Sequence, residues 1–183
     1  MAMRENKKTY RVALGGIVSA AAVAIMFMGS IIPFATFASP AIAGFCVLYF
    51  CLEFKKSTAF AVYATISALS VLLVPDKEQA LLFACFFGFY PILKLIIEKH
   101  CSKIIGLIFK FIVFNGCILL AYTVLIRLFR MDVISSELAD YSTWMVAIML
   151  VLGNIAFYFY DLLITRFSYM YFVKIKPRLT RGK

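Results

Sequence analysis

Four polar side chains, Asn154, Tyr158, Asp161 and Thr165, recur at spacings of four, three and four within an otherwise apolar stretch. That spacing places all four on one face of a helix. A carboxylate, an amide and two hydroxyls so aligned can contact a polar ligand, relay an ion, or hydrogen-bond to neighbouring helices and fix a fold. Inside a bilayer such a stripe must face protein or water rather than lipid. From a helix start near Thr143, Asn154 lies roughly 16 Å along the axis, near mid-membrane, with Asp161 closer to the cytoplasmic side.

Other groups belong at matching depths. Lys94 and Glu98 form an i, i+4 pair near the inner leaflet. Lys110 lies about 10 Å above Lys103 along the helix, a depth similar to that of Asp161. A Lys110–Asp161 pair would avoid a lone buried charge; the alternative is that both lysines snorkel to the headgroups. Asn115 and Tyr122 share a face of another apolar stretch, and Tyr90 stands beside Pro91. A proline kink frees backbone carbonyls that can line a cavity. Together Tyr90, Asn115, Tyr122, Asn154 and Tyr158 are candidates to bind a small molecule. Trp144 and Tyr141 either close its mouth or belong to an interfacial aromatic belt.

The chemistry that the chain lacks is equally informative. It contains no G-x-x-x-x-G-K-[ST] loop for nucleotide phosphates, no H-E-x-x-H and no G-x-S-x-G, and its one histidine is His100. A metal hydrolase or a serine triad has almost no material here. No paired carboxylates or nucleophile–base set lie at one depth, so the expectation is a protein that is not an enzyme and needs no cofactor or metal. Cys46, Cys51, Cys85, Cys101 and Cys117 form no C-x-x-C pair, and most sit in apolar runs as small hydrophobes.

These residues must be carried by membrane helices. Of 183 residues, 64% are hydrophobic, more than a globule of this size can hide. Lipid removes that constraint. Apolar runs bounded by Gly, Pro and charged residues give about six spans in a single integral domain, 1–183, at roughly 12–28, 41–52, 57–74, 79–97, 104–128 and 143–171. Gly29 to Pro33 ends the first. Pro40 sits in the first turn of the short second. Asp76 caps the fourth, in which Pro91 should produce a kink. The longest loop, Phe129 to Ser142, carries Asp132, Glu137 and Asp140, and a basic tail runs from Lys174 to Lys183. Strand alternation is absent, so the class is an all-α membrane protein.

Lys and Arg fix the expected orientation. With the N-terminus inside, the inner segments hold Arg4, Lys7, Lys8 and Arg11; Lys55 and Lys56; Lys94, Lys99, Lys103 and Lys110; and Arg166, Lys174, Lys176, Arg178, Arg181 and Lys183. The outer segments hold only Lys77, Arg127 and Arg130. The positive-inside rule therefore places both termini in the cytoplasm. The net charge of +10 flanks apolar runs, a pattern of topology and anionic-lipid contact rather than nucleic-acid binding. The basic start followed by Ala41-Ile42-Ala43 mimics a cleavable signal, but the apolar stretch is long, crosses Gly29 and Pro33, and leads into further membrane segments.

Gly16, Ala20 and Ala24 form a flat stripe on the first span, which serves packing either within the chain or on a partner. The stretch Phe34–Pro40 is apolar, fit either to fold over a ligand as a lid or to lie in the interface.

In these features the chain resembles the substrate-binding S components of energy-coupling factor (ECF) transporters. The resemblance rests on Gly16 and Ala20-Ala21-Ala22-Val23-Ala24 on the first helix, and on the Gly29–Pro40 loop with Phe37-Ala38-Ser39-Pro40-Ala41-Ile42-Ala43-Gly44. The stretch Phe86-Phe87-Gly88-Phe89-Tyr90-Pro91-Ile92-Leu93-Lys94, with Glu98, is similar to a pattern in bacterial membrane proteins grouped loosely with these. The resemblance implies a six-helix bundle in the plasma membrane that captures a small, vitamin-like molecule. It also implies docking through the first helix on a transmembrane coupling subunit with paired ATPases. The rival expectations are a membrane scaffold of the rod-shape morphogenesis type and a small ion-coupled carrier using Asp161.

Overall fold

In the computed structural model, which describes residues 2–32, 35–128 and 143–177, every regular element is a helix. In chain order these are α1 (Ala2–Gly29), α2 (Ala38–Glu53), α3 (Lys56–Leu73), α4 (Lys77–Leu82), a π-helical segment (Phe83–Phe87), α5 (Tyr90–His100), α6 (Lys103–Leu128) and α7 (Thr143–Met170), which continues as a π segment, Tyr171–Ile175. Phe34, the loop with Arg130, Asp132, Glu137, Asp140 and Tyr141, and the tail residues Arg178, Arg181 and Lys183 lie outside the described residues.

Five stretches are long and apolar enough to cross a membrane: Thr9–Gly29, Lys56–Leu73, Lys77–His100, Lys103–Arg127 and Ala147–Lys174. The chain is thus an all-α membrane protein. Against the expectation of six spans, α2 is apolar but has only 16 residues, which rise about 24 Å against a hydrocarbon core of roughly 30 Å.

The stretch Lys77–His100 is the central post: 67% of its 18-residue apolar segment is buried, against 22–33% of the matching segments of the other four. Its start follows from Asp76, whose carboxylate accepts the Gln79 N–H at 3.2 Å as an N-cap. Lys77 Nζ donates to the carbonyls of Val71 (2.9 Å) and Val74 (3.0 Å), satisfying acceptors at the end of α3.

The post is irregular where the sequence suggests a kink, but the irregularity lies upstream of Pro91. Gly88 N–H donates to Phe83 O, a π-type bond at 2.9 Å, so Ala84 O loses its helical donor. The Tyr63 hydroxyl donates to that carbonyl at 2.6 Å. Pro91 has no N–H for Phe87 O, and the Tyr160 hydroxyl lies 3.4 Å from it. Proline is accommodated because it falls in the first turn of α5, where no intrahelical donor is needed. Gly44 lets α2 approach this break: a Cβ there would lie 2.6 Å from both Phe87 O and the Tyr160 hydroxyl.

Below the break an aromatic core joins the post to α6 and α7. Phe114 and Phe157 stack at 4.7 Å, and Phe86 packs on Tyr90 at 4.9 Å and on Phe114 at 5.1 Å. These spacings are those of favourable ring pairs. They set the rotation of the three helices, and so decide which polar side chains meet.

Candidate functional site: a buried ion cluster

On α5, Tyr90, Lys94 and Glu98 follow one another at i, i+4 and i+8, and therefore descend one face. The aromatic core turns that face toward α7. Lys94 is 1% exposed. Its ammonium donates to the Asp161 carboxylate, to the Asp161 backbone carbonyl at 2.8 Å and to Thr165 Oγ1 at 2.7 Å. It also lies 3.3 Å from Glu98 Oε1. The Thr165 hydroxyl in turn donates to Asp161 O at 3.0 Å.

Lys110 arrives from α6. Its Nζ lies 2.7 Å from Glu98 Oε1 and 3.1 and 3.3 Å from the two Asp161 carboxylate oxygens. Tyr90 donates its hydroxyl to Asp161 Oδ1 at 2.5 Å. Two ammoniums thus face two carboxylates, and their formal charges cancel. Burying such groups is tolerable only because every charge is paired and hydrogen-bonded. The side chains of Lys94, Lys110 and Asp161 are nearly enclosed, whereas that of Glu98 is 43% exposed. The cluster ties α5, α6 and α7 together at one level, and Glu98 is its contact with the outside.

The remaining sequence candidates fall in separate places. Asn115 and Asn154 clasp each other across α6 and α7 through reciprocal amide bonds of 2.9 and 3.2 Å. Each also donates within its own helix, to Phe111 O at 2.9 Å and Leu150 O at 2.8 Å. Tyr158 is exposed on α7. It borders an open, apolar groove of about 480 Å³ with Phe111, Leu150, Val151, Asn154 and Ile155. Tyr122 donates to Glu78 Oε1 at 2.6 Å, at the end of the bundle where α1 finishes. Tyr90, Asn115, Tyr122 and Asn154 therefore do not converge on one pocket; Tyr90 belongs to the ion cluster instead. Trp144 is exposed near the start of α7.

Gly16, Ala20 and Ala24 all face away from the bundle, while Ser19, Ala22, Val23 and Met26 of α1 face into it. No neighbouring group comes within 4 Å of the position a Gly16 Cβ would take. A second open groove, between α1 and α3, runs beside this stripe past Ala20, Val23, Ala24 and Phe27.

Gln79 is a buried polar residue that sequence reading overlooks. Its side chain is wholly buried, yet neither amide atom has a hydrogen-bond partner. The signal for it was its position three residues after the Asp76 cap, where a glutamine normally reaches back to close a capping box. Among the described residues no group of three or more His, Cys, Asp or Glu could hold a metal, and all five cysteines are free. Comparison with models of protein families, with curated proteins and with solved structures gave no match.

Proposed function

We propose that this chain is the substrate-capture subunit of an ECF-type transporter for a small, vitamin-like molecule. On this reading it resides in a bacterial plasma membrane and crosses it six times, with α2 as a short span. Both termini are cytoplasmic, as the Lys and Arg distribution supports. The observation that carries the reading is the outward face of α1. Gly16, Ala20 and Ala24 present a flat strip of helix backbone that the described residues of the chain leave uncovered. Small residues at this spacing let a second helix approach closely. Since the chain has no phosphate-cradling loop, the energy for uptake comes from the docked coupling subunit and its ATPases.

The test replaces Ala20 and Ala24 together with leucine and follows co-purification with a coupling subunit and ATPases expressed from the same genome. The side chains face outward, so the bundle is expected to fold normally while the complex is lost. Unchanged co-purification would remove α1 as the docking face.

A scaffold of the rod-shape morphogenesis type is the second reading. It is favoured by the internal pairing of Asn115 with Asn154 and of Tyr122 with Glu78, which leaves these groups committed to holding helices together. A scaffold would bring down wall-synthesis or cytoskeletal partners in place of ATPases. An ion-coupled carrier finds less support, because Tyr90, Lys94 and Lys110 already engage the Asp161 carboxylate.

A further inference from the structure

At the end of the bundle where α1 finishes, the polar side chains next to Gln79 among the described residues have evident roles. Asp76 accepts from the Gln79 N–H and from Thr36 Oγ1, the latter at 3.2 Å. Glu78 accepts from Tyr122, and Lys77 caps α3. The Gln79 carboxamide instead forgoes the capping-box bond and turns inward with its oxygen and nitrogen both unmatched.

Two other groups meet it there. A Cβ on Gly29, the last residue of α1, would lie 3.3 Å from Gln79 Nε2 and 2.5 Å from Ser39 Oγ. Ser39 is itself buried in the first turn of α2 and donates to Ala35 O at 2.8 Å. A hydroxyl so engaged still offers acceptor lone pairs. The ends of α1, α2 and α4 thus converge on one donor and one acceptor held side by side, with a hydroxyl next to them. A leucine would fill the same volume without an unmatched amide. Polar groups that are buried and unmatched in the protein alone are the device by which a site selects a ligand that matches them.

We propose that Gln79, with Ser39 beside it, is the recognition point for a small neutral molecule that presents an acceptor and a donor side by side, such as a carboxamide, lactam or ureide edge. The molecule is neutral because the charged side chains next to Gln79 among the described residues, Asp76, Lys77 and Glu78, are engaged elsewhere. Because Gln79 is wholly buried and α2 packs closely on Gly29, binding requires the first turn of α2 to shift away from Gly29. The assignment rests on the capture reading, whose substrate class it names.

The full chain in lipid nanodiscs would be titrated with uracil, hydantoin and nicotinamide, with cyclohexanol as a control lacking the paired edge. The thermal midpoint would be followed by circular dichroism, in the native chain and in Gln79→Leu. At least one of the three probes is expected to raise the native midpoint in a concentration-dependent way. Gln79→Leu is expected to fold and to need about tenfold more probe or to show no shift. An equal shift in Gln79→Leu, or in the presence of cyclohexanol, would overturn the proposal. If none of the three probes acts and a co-purified molecule without such an edge is found, this assignment falls and the capture reading stands. If none acts and no molecule is found on a partner-free chain, both fall.

Discussion

Asp161→Asn converts the ion cluster from a balanced set of two ammoniums and two carboxylates into one with an excess positive charge. The new amide is isosteric and can still accept from Tyr90, so the change is almost purely electrostatic. Removing one partner of a buried pair costs about 3–5 kcal/mol. The lower end, about 3 kcal/mol, applies here, because Glu98 Oε1 remains 2.7 Å from Lys110 and 3.3 Å from Lys94. Lys94→Met makes the opposite imbalance and should be milder. The uncompensated charge then falls to Glu98, whose side chain is 43% exposed and can turn to water, while Asp161 keeps Lys110 and Tyr90. The loss there is about 1–2 kcal/mol, mainly the Lys94 hydrogen bonds to Asp161 O and Thr165. The double variant Lys94→Met/Asp161→Asn restores neutrality and should be at least as stable as Asp161→Asn alone. Unfolding in mixed micelles, followed by circular dichroism, measures all three. The reasoning fails if Asp161→Asn lies within about 0.5 kcal/mol of the native chain, or if Lys94→Met proves as damaging.

The break in the central post makes further predictions. Gly44→Ala places a methyl group 2.6 Å from Phe87 O and the Tyr160 hydroxyl, so it should push α2 off the post and lower stability by about 1–3 kcal/mol in the same assay. Tyr63→Phe removes the donor to Ala84 O and should cost about 1 kcal/mol, whereas Tyr169→Phe, on an exposed face of α7, should cost nothing measurable.

Much of this arrangement is legible in the sequence, and the rest fails to be for identifiable reasons. Helix ends are written locally: Asp76 caps α4, and Gly29 closes α1. Depth is also legible, since rise per residue alone puts Lys110 level with Asp161, and the two lie 3.1 Å apart. Helix rotation is not. Depth places Tyr90 with Asn115 and Asn154, but the packing of Phe86, Phe114 and Phe157 turns Tyr90 and Lys94 together toward Asp161. The i, i+4 spacing explains Lys94 through Glu98 alone and so conceals its closer partner on α7. Pro91 announces an irregular helix, yet the π segment lies upstream, because the missing donor acts on the preceding turn. The direction of the Gly16–Ala24 stripe and the inward turn of Gln79 depend on which face α1 and α4 bury, and periodicity in a chain this apolar does not encode that.

Native mass spectrometry of the chain, purified in mild detergent after expression with its genomic neighbours, tests the capture reading most directly. The account predicts a bound small molecule, an attached module containing ATPases, or both. An empty chain accompanied only by structural partners would contradict it.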